Sequence, residues 1–133
     1  MLNNFKEDLE QGKEAERLVK EVFSGLTAQY TFEAIGDQRE YYYKGDIRAT
    51  GADGREFYIE VKNDSRIAAS ENILCEDENY IKDSGRMIKG NMHCDSDYFC
   101  IVSQEARKIY VLDFKRLQEI YKKGEHRVIS HAQ

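Results

Sequence analysis

Proline is absent from the sequence, and we find neither an internal repeat nor a low-complexity stretch. Flexible and semi-rigid linkers are usually rich in proline, glycine or serine, so the sequence gives no indication of a domain boundary. We therefore expect residues 1–133 to form one domain, and a chain of this length can bury a sizeable core.

Long hydrophobic runs and disulfide patterns are also missing. No segment approaches the roughly 20 apolar residues of a membrane-spanning helix. The first 18 residues contain no uninterrupted apolar core of the kind that a secretory signal needs. The three cysteines, Cys75, Cys94 and Cys100, form no C-x-x-C pair and are expected to be reduced thiols. These absences predict a cytoplasmic protein that has no membrane partner.

Charge is plentiful but of the wrong sign for a non-specific nucleic-acid binder. Charged residues make up 34% of the chain, apolar residues make up 41%, and the formal net charge is −5. A negative balance gives no electrostatic indication of a nucleic-acid partner and argues mildly against non-specific binding. Composition therefore indicates a soluble globular protein without identifying what it binds.

Hydrophobic periodicity predicts a helix at each end of a central sheet. The first helix is expected over residues 3–26, and its inward stripe would contain Phe5, Leu9, Gly12, Glu16, Val19, Phe23 and Leu26. The final helix, 113–124, would have Asp113 as its N-cap. Strands are expected over 29–35, 41–50, 55–63, 97–103 and 107–113, with a short extra strand over 70–76 and a short helix within 82–91. This order predicts an α/β (α+β) fold with a central mixed β-sheet flanked by an N-terminal and a C-terminal helix.

The segment "KGDIRATGADGREFYIEVKND", residues 44–64, is typical of a β-hairpin. If "GADG" forms a type I turn whose last glycine is left-handed, Gly51 faces Arg55 and Asp46 lies opposite Glu60. Alternation along the strand then adds Tyr58 and Lys62 to the same face. A two-residue turn at Asp53-Gly54 would instead shift the register by one residue and separate the two carboxylates.

Opposed carboxylates destabilise a sheet by roughly 0.2–1 kcal/mol, which a cation between them would offset. Mg²⁺ suits such a position because it takes a few carboxylate oxygens and otherwise keeps its water. Glu16 supports this interpretation, since it occupies a place in the first helix where the pattern calls for Leu or Val. A buried carboxylate usually has a partner, although Glu16 could also lie at the edge of the stripe and reach solvent. Gly12, one turn earlier, would let another element approach the helix.

Asp46, followed after thirteen residues by Glu60-Val61-Lys62, resembles the D…(D/E)-x-K signature of the PD-(D/E)XK nucleases, the restriction-endonuclease-like superfamily. An acidic residue on the preceding helix, here Glu16, matches the layout of that superfamily. Residues 70–114 are also similar to a branch found among phage and bacterial proteins. The chain departs from the pattern where Gly45, not Pro, precedes Asp46, and where Glu71 replaces the usual Gly of that branch.

The resemblance implies four catalytic side chains: Asp46, Glu60, Lys62 and Glu16. Asp46 and Glu60 would hold Mg²⁺ or Mn²⁺ together with the backbone carbonyl of Val61. Lys62 would orient or deprotonate the attacking water, and Glu16 would hold a second ion or a metal-bound water. Phosphate contacts would come from basic residues that could equally be ordinary surface charge: Arg66, Lys82, Arg86 and Lys89.

The resemblance also implies an activity, namely a Mg²⁺-dependent endodeoxyribonuclease that hydrolyses phosphodiester bonds in double-stranded or branched DNA. The small size favours structure-directed cutting in repair, recombination or phage replication. Two alternatives stay open: a non-catalytic DNA-binding or assembly module on the same fold, and an RNA-directed nuclease. The complete Asp-Glu-Lys set favours an enzyme over a relic. The sequence does not decide between a monomer and a homodimer.

A second group of potential ligands lies in "MHCDSD", residues 92–97. It offers His93, Cys94, Asp95 and Asp97, and Cys75 is a further candidate ligand for zinc. Structural zinc sites usually contain two closely spaced ligand pairs, and no second pair is present. A loop with incidental ligands is therefore the favoured interpretation, with Asp97 opening the next strand.

Overall fold

The computed structural model describes residues 2–36, 38, 44–70, 78–81, 86–89 and 94–124. Within these ranges the chain forms three helices and seven strands. In order they are α1 (Leu2–Leu26), β1 (Tyr30–Ala34), β2 (Ile47–Gly51), β3 (Glu56–Asn63), α2 (Ile67–Ser70), β4 (Glu78–Ile81), β5 (Arg86–Lys89), β6 (Tyr98–Ser103), β7 (Lys108–Asp113) and α3 (Phe114–Lys122). No helix in this part of the chain is both long enough and apolar enough to cross a membrane.

The main sheet has five strands in the order β1-β2-β3-β6-β7. β3 and β6 run parallel, whereas the other neighbouring pairs are antiparallel. A separate antiparallel pair is formed by β4 and β5. The expected fold class, a mixed sheet with flanking helices, is thus confirmed.

Strand alternation sends apolar side chains to both faces of the sheet. On one face, Ala15 and Val19 of α1 are fully buried against Ile47, Ile59 and Cys100. The opposite face is covered by α2 and α3, and its buried members are Ile67, Phe99, Ile101 and Phe114. The central strand β6 therefore contributes to both cores, which explains why its sequence is continuously apolar.

The buried stripe of α1 differs from the expected one. Val19 faces the core as predicted. One turn earlier the buried residue is Ala15, not Gly12 or Glu16. Leu9 is 50% exposed and Leu26 is 76% exposed, so the expected stripe was too long at both ends. Gly12 has open space around it, and the prediction that another element approaches there was wrong.

Most of the other element predictions hold. Asp113 caps α3, since its side chain accepts a hydrogen bond from the Arg116 N–H, and β6 and β7 form the expected antiparallel hairpin. The short helix expected within 82–91 was wrong over Arg86–Lys89, which is a strand, and β4 and α2 were not expected. Ser70, where the extra strand expected over 70–76 would begin, is the last residue of α2. Residues 71–76 and 41–43 lie outside the described residues.

Candidate active site

The hairpin has the register that opposes the two carboxylates. The Gly51 N–H donates to the Arg55 carbonyl at 2.7 Å, and the Gly54 N–H donates to the Gly51 carbonyl at 3.0 Å. Gly54 has φ +84°, the left-handed conformation that the three-residue turn requires. Ile47 pairs with Ile59, so the two-residue turn at Asp53-Gly54 is not formed.

Asp46 is the residue immediately before β2, and its backbone is anchored on both sides. Its N–H donates to the Ile59 carbonyl at 2.9 Å, and its carbonyl accepts from the Ile35 N–H at 2.9 Å. Its side chain accepts a hydrogen bond from the Val61 N–H at 2.8 Å. The β2–β3 ladder ends at the Ile47–Ile59 pair, one residue after Asp46, and the bond to Val61 places the Asp46 carboxylate next to Glu60 on β3.

Glu60 has a strongly perturbed carboxyl group. Burial, the largest cause, raises its pKa well above the usual range, and a hydrogen bond with Asp46 and the charge of Asp46 raise it further. A hydrogen bond from the Cys94 thiol acts in the opposite direction. Two carboxyl groups can hydrogen-bond to each other only when one carries a proton. Without a cation, the raised pKa favours the protonated form of Glu60, which can then donate to Asp46.

Glu16 reaches the same site from α1. It is half-buried at the edge of the helix stripe, and its negative charge also raises the pKa of Glu60. The early part of α1 is tied to the end of β3, because Gln104 donates to the Asn63 side chain at 2.9 Å and to the Gln11 carbonyl at 3.2 Å. The structure thus brings Asp46 and Glu60 together, and Glu16 is near enough for its charge to act on Glu60.

Lys62 and the Val61 carbonyl lie beside the acidic pair. Lys62 follows Glu60 by two residues on β3 and so projects from the same face. In an extended strand the N–H and the C=O of one residue point to the same edge. Because the Val61 N–H donates to Asp46, the Val61 carbonyl also points to the side on which Asp46 lies.

Asp46 and Glu60 offer a metal ion only a few oxygen ligands. Among the residues that the structure describes, no group of three or more His, Cys, Asp or Glu side chains is placed to hold a metal ion. Mg²⁺, however, keeps several waters and is commonly bound through one or two carboxylates. The charge of Asp46 raises the pKa of Glu60, and a cation beside the two carboxyl groups would offset that repulsion. The pair therefore fits a hydrated, hard divalent ion better than a closed zinc site.

Of the residues expected to contact phosphates, Arg66 pairs with a carboxylate of its own turn. Arg66 is exposed, and its guanidinium lies 3.4 Å from the Asp64 carboxylate, which also caps the Arg66 N–H at 3.0 Å. Asp64 is thus a turn residue. Arg86 and Lys89 lie on β5, in the separate two-stranded sheet, and Lys82 lies outside the described residues.

Tyr58 shares the face of Glu60 but packs locally. Its hydroxyl donates to Glu56 at 3.0 Å, and the Lys44 ammonium lies 5.3 Å from the centre of its ring. These contacts favour a packing role for Tyr58.

Sequence reasoning missed one neighbour of the acidic pair, the Cys94 thiol. Burial and the charge of Glu60 raise the pKa of Cys94, so the thiol is protonated and donates to Glu60. Asp95 and Asp97 have partners elsewhere: Asp95 accepts from Lys44 and Lys115, and Asp97 accepts from the Tyr58 N–H. The zinc hypothesis gains nothing from these contacts, and His93 and Cys75 lie outside the described residues.

Comparison of the chain with protein-family models, curated proteins and solved structures finds no match. The resemblance to the PD-(D/E)XK nucleases therefore depends on this chain's own residues: the spacing of Asp46, Glu60 and Lys62, and the acidic residue of α1.

Proposed function

We propose that the protein is a metal-dependent nuclease that hydrolyses phosphodiester bonds in DNA on a restriction-endonuclease-like core. The observation that supports this best is the half-buried Asp46 carboxylate held on β3 by the Val61 N–H, next to Glu60, whose pKa it helps to raise. Burial and the neighbouring acid perturb the pKa of Glu60, and groups perturbed in this way cluster at functional sites. Lys62 completes the set on the same strand.

Each side chain has a role in the proposed reaction, in which a water attacks phosphorus and the bond to the leaving sugar oxygen breaks. When bound, Mg²⁺ or Mn²⁺ supplies a Lewis acid for the phosphate and a lowered pKa for water. Asp46, Glu60 and the Val61 carbonyl hold the ion. Lys62 orients the water and donates to the phosphate oxygens as negative charge develops on them. Glu16 anchors a second ion or an ordered water.

The type of DNA follows from size and charge. A chain of 133 residues that is largely used by one sheet and its helices leaves little room for a sequence-reading module. The net charge of −5 disfavours binding along uniform duplex. We therefore propose cutting directed by DNA structure, at branches or other irregularities, in repair, recombination or phage replication.

The test is a cleavage assay with pure protein on circular, linear, branched and single-stranded DNA, and on RNA. We expect cleavage of DNA in Mg²⁺ or Mn²⁺ and none in EDTA. Asp46→Ala, Glu60→Ala and Lys62→Ala should each lower the rate by at least about 100-fold, since each removes a contact that stabilises the transition state. Lys108→Ala, on the exposed end of β7, is the matched control for Lys62→Ala and should leave the rate unchanged.

Two results would assign a different function. Tight DNA binding without cleavage in either metal, unaffected by the three substitutions, would identify a non-catalytic binding or assembly module. Cleavage of RNA alone would identify an RNA-directed nuclease. Full activity of any of the three variants, with chelator-sensitive cleavage in the parent, would show that the active site lies elsewhere.

A further inference from the structure

We propose that residues 94–97, the segment that leads into β6, act as a positioning device that fixes the Asp46 carboxylate against Val61 and Glu60. Ser96 is its central residue. The effect on catalysis depends on the proposed nuclease function, whereas the geometric effect can be measured without it. No residue of this segment belongs to the D…E-x-K set.

Ser96 holds the turn that delivers Asp46. It is fully buried, and its hydroxyl donates to the Lys44 carbonyl at 2.6 Å. Gly45, the next residue, has φ +131°, which a residue with a side chain rarely adopts. A Cβ there would lie 2.7 Å from the Ile59 carbonyl oxygen and 2.9 Å from the Ser96 hydroxyl. The backbone at Gly45 is thus clamped between Ser96 and β3, and Asp46 follows directly.

The same segment also fixes β3 next to the site. Asp97 forms two hydrogen bonds with the Tyr58 backbone, both at 2.8 Å. Its N–H donates to the Tyr58 carbonyl, and its carboxylate accepts from the Tyr58 N–H. Its carbonyl accepts from the Phe114 N–H at 3.0 Å, which joins the segment to the start of α3. One short segment therefore contacts the approach to β2 and the strand that carries Glu60.

The first two residues of the segment, Cys94 and Asp95, connect it to α3. Asp95 forms ion pairs with Lys44 at 2.9 Å and with Lys115 of α3 at 2.6 Å. The Cys94 carbonyl accepts from the Gln118 side chain at 2.8 Å, and the Cys94 thiol donates to Glu60. Thus α3 is connected through this segment to both members of the acidic pair. Removing the central hydroxyl should loosen the Asp46 side of the pair while leaving the sheet intact.

The experiment compares Ser96→Ala with Ser103→Ala by amide hydrogen exchange followed by NMR. Ser103 is the matched control because it too is fully buried on β6, and its hydroxyl accepts only from the Ala106 N–H at its own turn among the bonds described. The reporter is the Val61 amide, which donates to the Asp46 carboxylate. The reference is the Arg116 amide, which donates to a carboxylate at the far cap of α3.

We expect Ser96→Ala to speed exchange at Val61 by about tenfold relative to Arg116, because the change removes a buried hydrogen bond to a backbone carbonyl. Ser103→Ala should leave that ratio unchanged. If Ser96→Ala fails to fold, Asp95→Asn is the second variant, since Asp95 is exposed, and about threefold faster exchange at Val61 is expected. An unchanged Val61-to-Arg116 ratio in the variant that folds would overturn the proposal.

Cleavage kinetics separate this inference from the proposed function. In an active parent, Ser96→Ala should lower kcat by about 10- to 100-fold with KM nearly unchanged, because a small misplacement of a catalytic group affects the transition state most. Equal kcat values in Ser96→Ala and Ser103→Ala would contradict a positioning role. An inactive parent would overturn the proposed nuclease function alone. The ratio of the Val61 and Arg116 exchange rates would still decide whether residues 94–97 position Asp46.

Discussion

At the scale of single residues, Glu60 links the site to stability. Its pKa is raised in the folded protein, chiefly by burial and then by Asp46, so the folded state holds the proton more tightly than the unfolded state. The stabilisation is fully present below the ordinary pKa of 4.5 and is lost as the pH rises through the raised pKa. The slope in that window is at most about 1.4 kcal/mol per pH unit.

Glu60→Gln should remove this pH dependence in metal-free protein. The amide stays neutral at every pH and can still donate to Asp46, so the free energy of unfolding should no longer fall above pH 4.5 through this site. Urea unfolding in EDTA over a pH series measures the effect. Glu105→Gln, exposed in the turn between β6 and β7, is the control and should follow the parent. A decline in Glu60→Gln as steep as in the parent would contradict the raised pKa of Glu60.

The residue pairing in the site could be predicted because it is local. The turn at 51–54 sets the register, and the register sets which side chains face each other. The Cys94 thiol could not be predicted, because it arrives with the parallel neighbour β6, whose register no turn specifies. The assignment of Glu16 to the site stays a prediction, and periodicity did not show that Ala15 takes the buried position beside it.

At the scale of elements, the hairpin turn is the feature on which the site depends most. Gly54→Ala should destabilise the protein by about 1–2 kcal/mol, because a Cβ is unfavourable at its φ of +84°. Gly54→Asn should cost less, since Asn tolerates the left-handed region. Thermal or urea unfolding provides the measurement.

The same glycine-to-alanine change at Gly12 is the matched control for Gly54→Ala. Gly12 is helical and has open space where a Cβ would lie, so alanine should stabilise α1 by roughly 0.5–1 kcal/mol. The same substitution should thus raise the free energy of unfolding at Gly12 and lower it at Gly54. A stabilising Gly54→Ala would mean that the turn, and with it the opposition of Asp46 and Glu60, is different from the one described.

Elements with strong periodic patterns could be predicted, and short ones could not. The long helix α1, the β2–β3 hairpin and the β6–β7 hairpin each carry several turns or pairs of repeating pattern. β4, β5 and α2 have only four residues each, too few for a period to stand out from chance.

At the scale of the whole molecule, a divalent ion should act as a stabilising ligand. At 100 times its dissociation constant, it should add about 2.7 kcal/mol to the free energy of unfolding of the parent, because it binds only the folded state. Asp46→Asn should lose most of that gain, while Asp53→Asn in the exposed turn should keep it. Thermal melts in Mg²⁺, Mn²⁺ and EDTA test this, and an identical response of parent and Asp46→Asn would exclude a metal shared by the pair.

The single parallel pairing in the sheet has a consequence for how the protein folds. The β2–β3 hairpin closes over a few residues, whereas the β3–β6 pairing, in which Ile59 meets Tyr98, must close a long loop. Contacts between residues far apart in sequence form later and limit the folding rate. Asp46 and Glu60 should therefore meet early on the folding pathway, and residues 94–97 should join them late. During folding, the acidic pair would exist for a time as a half-assembled site, open to water and not yet held by Ser96.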